Sequence, residues 1–326
     1  MNDCVQLRSS PATDQALRAA LESALVKRIV GLQRRPCIYQ SSFALEELTL
    51  EFDQGEELSV MFKDIGPHAL HEEARSAKPE FLFNPRREIA VYRDLLSRHQ
   101  LGTANLIAAV EQDDPPRSWL FLEDVEGIEL YQTGEIELWQ SAARSLRMLH
   151  ASVPASDVTE LPLLKYDAGL YRTWVQRARE FLSESQRSRP AVASRIERIA
   201  SQYDRVIDRL VALPSTFIHG EFYASNVIVQ RRHDATIRVC PVDWELAAIG
   251  PGLIDLAALV AGKWSAQKRD EIVRAYSPDV DEADLNCARL HLAVQWLGWS
   301  RDWSPPPDHA HEWLTDALHL ADQLEL

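Results

Sequence analysis

The sequence predicts an α+β fold, and three stretches carry that expectation. Leu48-Thr49-Leu50-Glu51-Phe52 and Leu58-Ser59-Val60-Met61-Phe62-Lys63 flank the turn Asp53-Gln54-Gly55-Glu56, which is the pattern of an antiparallel hairpin. From Ala151 to Pro214 the chain is helical in pattern, with polar breaks such as Ser183-Glu184-Ser185-Gln186-Arg187-Ser188. Val227-Ile228-Val229 and Ile237-Arg238-Val239 then read as two short strands around the polar turn Arg231-Arg232-His233-Asp234. No internal repeat or long low-complexity tract interrupts this layout.

The remaining elements follow in chain order. Thr13 or Asp14 caps a helical pattern in which Leu17, Leu21, Leu25 and Ile29 recur, ending near Gly31. The first hairpin leaves Lys63 at the end of its second strand. Pro85 starts a helix with Glu88 in its first turn and Ile89, Tyr92 and Leu96 on its apolar face. Trp119-Leu120-Phe121-Leu122 is a short apolar strand leading into Glu123-Asp124-Val125-Glu126-Gly127, and Ser141 to His150 reads as a helix with Ala143, Leu146 and Leu149 on one side. Near the C-terminus Trp296, Trp299, Trp303 and Trp313 are interleaved with Asp302, Asp308 and Glu312 and interrupted by Pro305-Pro306-Pro307. Two readings stay open there: packed core, or an aromatic wall with acidic groups for an amine-bearing substrate.

Composition sets the limits. A chain of 326 residues, 46% hydrophobic and 26% charged, can bury one or two cores and describes an ordinary soluble protein. A net charge of −14 argues against general nucleic-acid binding, which relies on basic surface; a solvated acidic surface is its first explanation, and it is also compatible with a cationic substrate. Cys4, Cys37, Cys240 and Cys287 have no paired spacing, and no Cys/His cluster suggests zinc, so a reduced cytoplasmic setting is expected. The N-terminus has no apolar signal core and no run reaches the length of a membrane span. Oligomeric state is left open.

The chemistry concentrates between Phe217 and Asp255, where His219-Gly220-Glu221, Asn226, Asp243-Trp244-Glu245, Gly250 and Asp255 follow one another. Phosphoryl transfer needs a carboxylate near the attacking hydroxyl and oxygen ligands that hold Mg²⁺ against nucleotide phosphates. Glu221 and Asn226 have the spacing of the carboxylate and amide of a kinase catalytic loop, and the hairpin after Asn226 would bring Asp243 back beside it. These residues resemble the aminoglycoside phosphotransferase and choline kinase family, a branch of the protein-kinase-like fold. The likeness runs from about Ser41 to Gly262, and departs from the family pattern where Glu221 stands in place of the usual Asp.

The resemblance implies a protein-kinase-like two-lobed fold: a small antiparallel-sheet N-terminal lobe with its leading helix over residues 1–123, and a larger, mainly helical lobe over 124–326. It implies a transferase, a small-molecule kinase that moves the γ-phosphoryl of ATP or GTP to a hydroxyl of an antibiotic, amino alcohol or sugar. Lys63, paired with Glu88, would hold the α/β-phosphates; Asn226 and Asp243 would bind Mg²⁺; Glu221 would be the catalytic carboxylate; and backbone groups of the Glu123 segment would meet the base. Tyr39-Gln40-Ser41-Ser42-Phe43-Ala44 occupies the place of a glycine-rich loop without a glycine, where Ser41 and Ser42 could face phosphate or bond their own backbone. His219 is expected to shape the loop, and Asp255 to satisfy backbone amides. The rival expectation is a pseudokinase that binds nucleotide or a metabolite as a regulator and transfers nothing.

Overall fold

The first predicted hairpin is the centre of a five-stranded antiparallel sheet. The computed structural model describes residues 11–37, 42–114, 116–186, 189–232, 234, 236–302 and 312–326. Helix α1 (Pro11–Leu25) precedes β1 (Ile29–Pro36), β2 (Leu45–Phe52) and β3 (Glu57–Asp64); α2 (Glu72–Ala77) and α3 (Pro85–Ala90) lead to β4 (Leu106–Asp113) and β5 (Pro116–Glu123). The strands lie in the order β1-β2-β3-β5-β4.

The first helix is shorter than its spacing suggests. It stops at Leu25, Val26 takes a φ of 52°, and Ile29 opens β1 instead of closing the helix. Pairing of β1 along β2, from Ile29 opposite Phe52 to Pro36 opposite Glu46, gives this segment a ladder that outweighs its local helical period. Nothing in its mixed polar pattern announces a strand.

Strict alternation gives the sheet two different faces. Leu48 and Leu50 of β2, Val60 and Phe62 of β3 and Phe121 of β5 pack under Leu17 and Leu21 of α1. Phe62 stacks on Phe121 with ring centroids 5.0 Å apart. Leu120 and Leu122 turn the other way, into the main core. Lys63 follows Phe62 in β3 and therefore lies on that second face, against α3. Asn84 caps α3 by accepting a hydrogen bond from the Arg86 amide at 3.0 Å, with Pro85 at the first helical position. Beyond Ala90 the helix widens into a π-type turn over Val91–Leu95, with Val91, Tyr92 and Leu95 buried.

The second lobe is mainly helical. Its elements are β6 (Ile128–Glu129), α4 (Ile136–Ser152), α5 (Ala155–Val158), β7 (Leu164–Lys165), α6 (Ala168–Ser185), α7 (Pro190–Gln202), α8 (Asp204–Ala212), β8 (Ser215–Ile218), β9 (Val227–Arg231), β10 (Ile237–Pro241), β11 (Ala248–Pro251), α9 (Leu253–Leu259), α10 (Ala266–Tyr276), α11 (Glu282–Trp299) and α12 (Trp313–Gln323). Two small sheets, β10-β9-β6 and β7-β11-β8, carry the loops of the site. Helix α11 is the axis of the core; a Cβ at Gly298 would lie 2.9 Å from Trp174, so glycine there lets α6 approach closely. Cys37, Cys240 and Cys287 are buried and take part in no disulfide. Among the described residues no helix is long and apolar enough to cross a membrane.

One buried group makes this core sensitive to acid. His291 on α11 is fully buried, meets the Tyr203 hydroxyl at 3.4 Å and faces the Tyr171 ring at 4.6 Å. Burial pushes its pKa from 6.5 down to about 3, so in that window the unfolded chain takes a proton that the folded one refuses. The stability carried by the neutral ring is complete above 6.5 and is lost as pH falls toward about 3. Denaturation curves across this window should fall more steeply for the wild type than for His291→Phe; parallel slopes would remove His291 as the source.

Candidate active site

The loop after β8 is fixed by a buried carboxylate. Asp255, in the first turn of α9, accepts hydrogen bonds from the amides of His219 at 2.7 Å and Gly220 at 2.8 Å, and His150 Nε2 lies 3.1 Å from the same side chain. The amides it satisfies belong to the loop rather than to its own helix. Gly220 has a φ of 86°, and a Cβ there would fall 2.3 Å from the Leu246 carbonyl oxygen, so only glycine fits. His219 donates from Nε2 to the Val242 carbonyl at 2.9 Å, which leaves Nδ1 to accept from the Glu221 amide at 3.3 Å. Burial lowers its pKa, and the neutral ring holds the loop's shape.

Asn226 and Asp243 are joined through their backbones, the Val242 amide donating to the Asn226 carbonyl at 2.9 Å. The Asn226 Nδ2 donates to the Glu221 backbone carbonyl at 3.0 Å, which holds the side-chain amide in place. Asp243 sits in the left-handed region, with φ 66° and ψ 67°, a conformation Asp tolerates better than most residues. Its Oδ1 accepts from Lys63 Nζ at 2.6 Å, and Glu88 Oε2 accepts from the same ammonium at 2.8 Å. Burial alone would favour loss of the Lys63 proton, but Asp243 and Glu88 more than offset it and raise its pKa above the ordinary lysine value. Burial pushes the Glu88 carboxyl up, against the pull of Lys63.

Further charges crowd the same cleft. Burial, then the charges of Glu245 and Asp243, push the Glu221 carboxyl up to about 8, while Lys78 and Lys63 pull it down. Glu245 pairs with Lys78, takes a hydrogen bond from the Ser42 hydroxyl at 3.2 Å, and gives its backbone carbonyl to Arg87 Nη1 at 2.6 Å. The donor set suits a hard divalent cation: an amide oxygen, a carboxylate, and neighbouring carboxylates whose repulsion a cation would relieve. Among the described residues no group of three or more His, Cys, Asp or Glu makes a cage by itself. An ion held by Asn226 and Asp243 would complete its shell with phosphate and water oxygens, as Mg²⁺ usually does.

With this geometry established, comparison with known proteins places the chain. The profile of the phosphotransferase enzyme family matches residues 52–290. The chain belongs to that family. The fold is similar to choline kinase from Cryptosporidium parvum, at 15% identity and a TM-score of 0.62 over 96% of each chain. It is also similar to Plasmodium vivax ethanolamine kinase, at 13% identity and a TM-score of 0.59 over 98% of this chain and 89% of that one. An aminoglycoside phosphotransferase from Streptomyces rimosus matches at 17% identity and a TM-score of 0.52 over 89% of this chain and 98% of that one. No curated protein sequence matches the chain.

The phosphotransferase brings Lys63, Glu88, Glu221, Asn226 and Asp243 to one cleft, and Ser42 joins them through Glu245. Ser41 lies outside the described residues. The Glu123 carboxylate is engaged elsewhere, by Arg238 Nη2 at 2.9 Å and Asn105 Nδ2 at 2.7 Å.

The tryptophans divide between the two readings. Trp299 packs on Trp174 at 5.6 Å, and Asp302 is paired with Arg177 at 2.7 Å, so both serve the α6–α11 contact. Trp296 instead donates to the Tyr223 hydroxyl at 2.8 Å and stacks on Trp313 at 5.4 Å, close to Glu221. Glu312 is exposed just before α12, and Trp303 and Asp308 lie outside the described residues. Sequence patterns do not single out Lys78, Arg87 or Tyr223: each depends on partners far along the chain, and only Tyr223, two residues after Glu221, has a local clue.

The Lys63–Glu88 pair can be tested by a double-mutant cycle. Lys63→Met should destabilise by about 3–5 kcal/mol, since it leaves Glu88 and Asp243 without their cation, and Glu88→Gln by less, since Lys63 keeps Asp243. The double variant should lose less than the sum, by roughly 1–3 kcal/mol of coupling. Additive changes in denaturation free energy would show that the two side chains act independently.

Proposed function

We propose that this phosphotransferase moves the γ-phosphoryl group of ATP or GTP to a hydroxyl of a small polar substrate. The observation that carries this reading is Lys63 bonded to both Glu88 and Asp243, beside a loop in which Asn226 Nδ2 bonds the Glu221 backbone carbonyl. Lys63 would hold the α/β-phosphates in the orientation Glu88 imposes, and Asn226 and Asp243 would hold Mg²⁺, which neutralises phosphate charge. Glu221 would accept the proton of the attacking hydroxyl as its oxygen bonds phosphorus and the bridging oxygen keeps the electron pair of the broken bond. An intact set of phosphate and metal ligands favours catalysis over a purely regulatory nucleotide site, which would need no such carboxylate.

A cationic amino alcohol or aminoglycoside suits the acceptor side. Tyr223, whose amide donates to the Glu221 backbone carbonyl at 2.7 Å, forms an aromatic group with Trp296 and Trp313, and aromatic faces attract ammonium groups. Asp302, neutralised by Arg177, has no part in this. Among structural neighbours, the Streptomyces rimosus enzyme was solved with ADP and streptomycin, and a spectinomycin phosphotransferase with ADP and spectinomycin. A division of the chain at Glu123–Asp124, with nucleotide between the two parts, and a cytoplasmic setting complete the reading.

Titration calorimetry should detect Mg²⁺-dependent binding of ATP or GTP; absence of both would end this reading at its base. Asp243→Asn should weaken that binding about tenfold or more through loss of a charged ligand. Against a panel of small hydroxyl compounds, Glu221→Gln should lower turnover by roughly 10²–10⁴-fold with nucleotide affinity unchanged. Glu221→Asp should keep measurable activity. Wild-type turnover in the Gln variant would show that another group takes the proton.

A further inference from the structure

Lys78 is a lysine in a place where lysines are rarely found. It follows α2, in the segment joining β3 to α3, and its side chain is only 6% exposed. A lysine so deeply buried is uncommon without a partner or a ligand. Its ammonium reaches across to Glu245 of the other lobe and stands 5.4 Å from the centre of the Phe43 ring, over which Lys63 Nζ also sits, at 5.7 Å. The two lysines thus approach one turn at its two carboxylates, Lys63 at Asp243 and Lys78 at Glu245. Phe43 and Ser42 belong to the segment that replaces a glycine-rich loop, and the Ser42 hydroxyl meets Glu245 at 3.2 Å. The charge of Lys78 is also felt at Glu221, so it reaches toward the acceptor side of the cleft.

Taking the site as the phosphoryl-transfer centre proposed above, we propose that Lys78 is a second phosphate-directed cation, which binds the γ-phosphoryl group from the N-terminal lobe. An ammonium has three N–H donors, and Glu245 takes one of them, which leaves the group able to donate to phosphoryl oxygens while Glu245 holds it in place. Lys63 then serves the phosphates that stay with the nucleotide, and Lys78 the one that leaves. This division supplies, with a side chain, positive charge that a loop without glycine cannot present through closely approaching backbone amides. Glu245 is in this scheme a positioning residue.

Affinity for nucleotides that differ by one phosphate separates this role from a structural one. The probes are the Mg²⁺ complexes of a non-hydrolysable ATP analogue and of ADP, measured by calorimetry on the whole chain. Lys78→Met should weaken the triphosphate about tenfold and the diphosphate less than twofold, since one charge-assisted contact is lost from the terminal group only. Lys78→Arg should restore most of the difference. Because Lys78→Met leaves Glu245 buried without its cation, the double variant Lys78→Met with Glu245→Gln provides a second route; it should show the same triphosphate-selective loss. Equal losses for both nucleotides, or none, in variants with wild-type circular dichroism would overturn the assignment to Lys78 alone. A wild-type chain that binds neither nucleotide would overturn the phosphoryl-transfer reading along with it.

Discussion

The cleft depends on one buried ammonium. Lys63 comes from the sheet, Glu88 from α3 and Asp243 from the turn after β10, and the two carboxylates lie within 2.8 Å of the Lys63 nitrogen. Breaking a buried ion pair by removing one partner costs about 3–5 kcal/mol, whereas the intact pair adds little net stability, so the arrangement specifies geometry more than it strengthens the fold. Its consequence is registration. The sheet's second face, the first turn of α3 and the left-handed backbone at Asp243 must all be in place for Lys63 to keep its charge.

The rest of the cleft is arranged around an excess of negative charge. Glu88, Glu221, Asp243 and Glu245 converge on two lysines, and the Glu221 carboxyl is raised first by burial and then by the charges of Glu245 and Asp243. In the proposed reaction a metal ion and a positively charged acceptor would offset that negative charge. Arg87 strengthens the same boundary from the side, its guanidinium donating to the carbonyls of Leu82, Pro162 and Glu245.

What could be read from the sequence was what has a local signature. The two hairpins, Lys63 at a strand end, Glu88 in a Pro-started helical turn and the His219-to-Asp255 motif each follow from period, cap or spacing, and the structure brings them together. Strand β1 was illegible because its residues lack alternation and gain their conformation only by pairing with β2. The Glu123–Arg238 and Asp302–Arg177 pairs join residues more than a hundred positions apart, so no window of sequence could tell a neutralised carboxylate from one facing a ligand. The same holds for the tryptophans: their spacing on α11 is regular, but only the packing of α6 and α12 assigns Trp299 to the core and Trp296 to Tyr223.

Gly220 carries a consequence for how such a loop can change over time. The Leu246 carbonyl leaves no room for any side chain at position 220, and Asp255 occupies both adjoining amides, so the backbone of this loop is closed to drift. The next residue is half-buried, and if Glu221 is the catalytic carboxylate proposed above, its extra methylene shifts the carboxylate oxygens while the Gly220 backbone stays fixed. On the proposed mechanism, replacing one carboxylate by another there would change only one side chain's reach on a fixed frame, and with it the depth of acceptor the site suits.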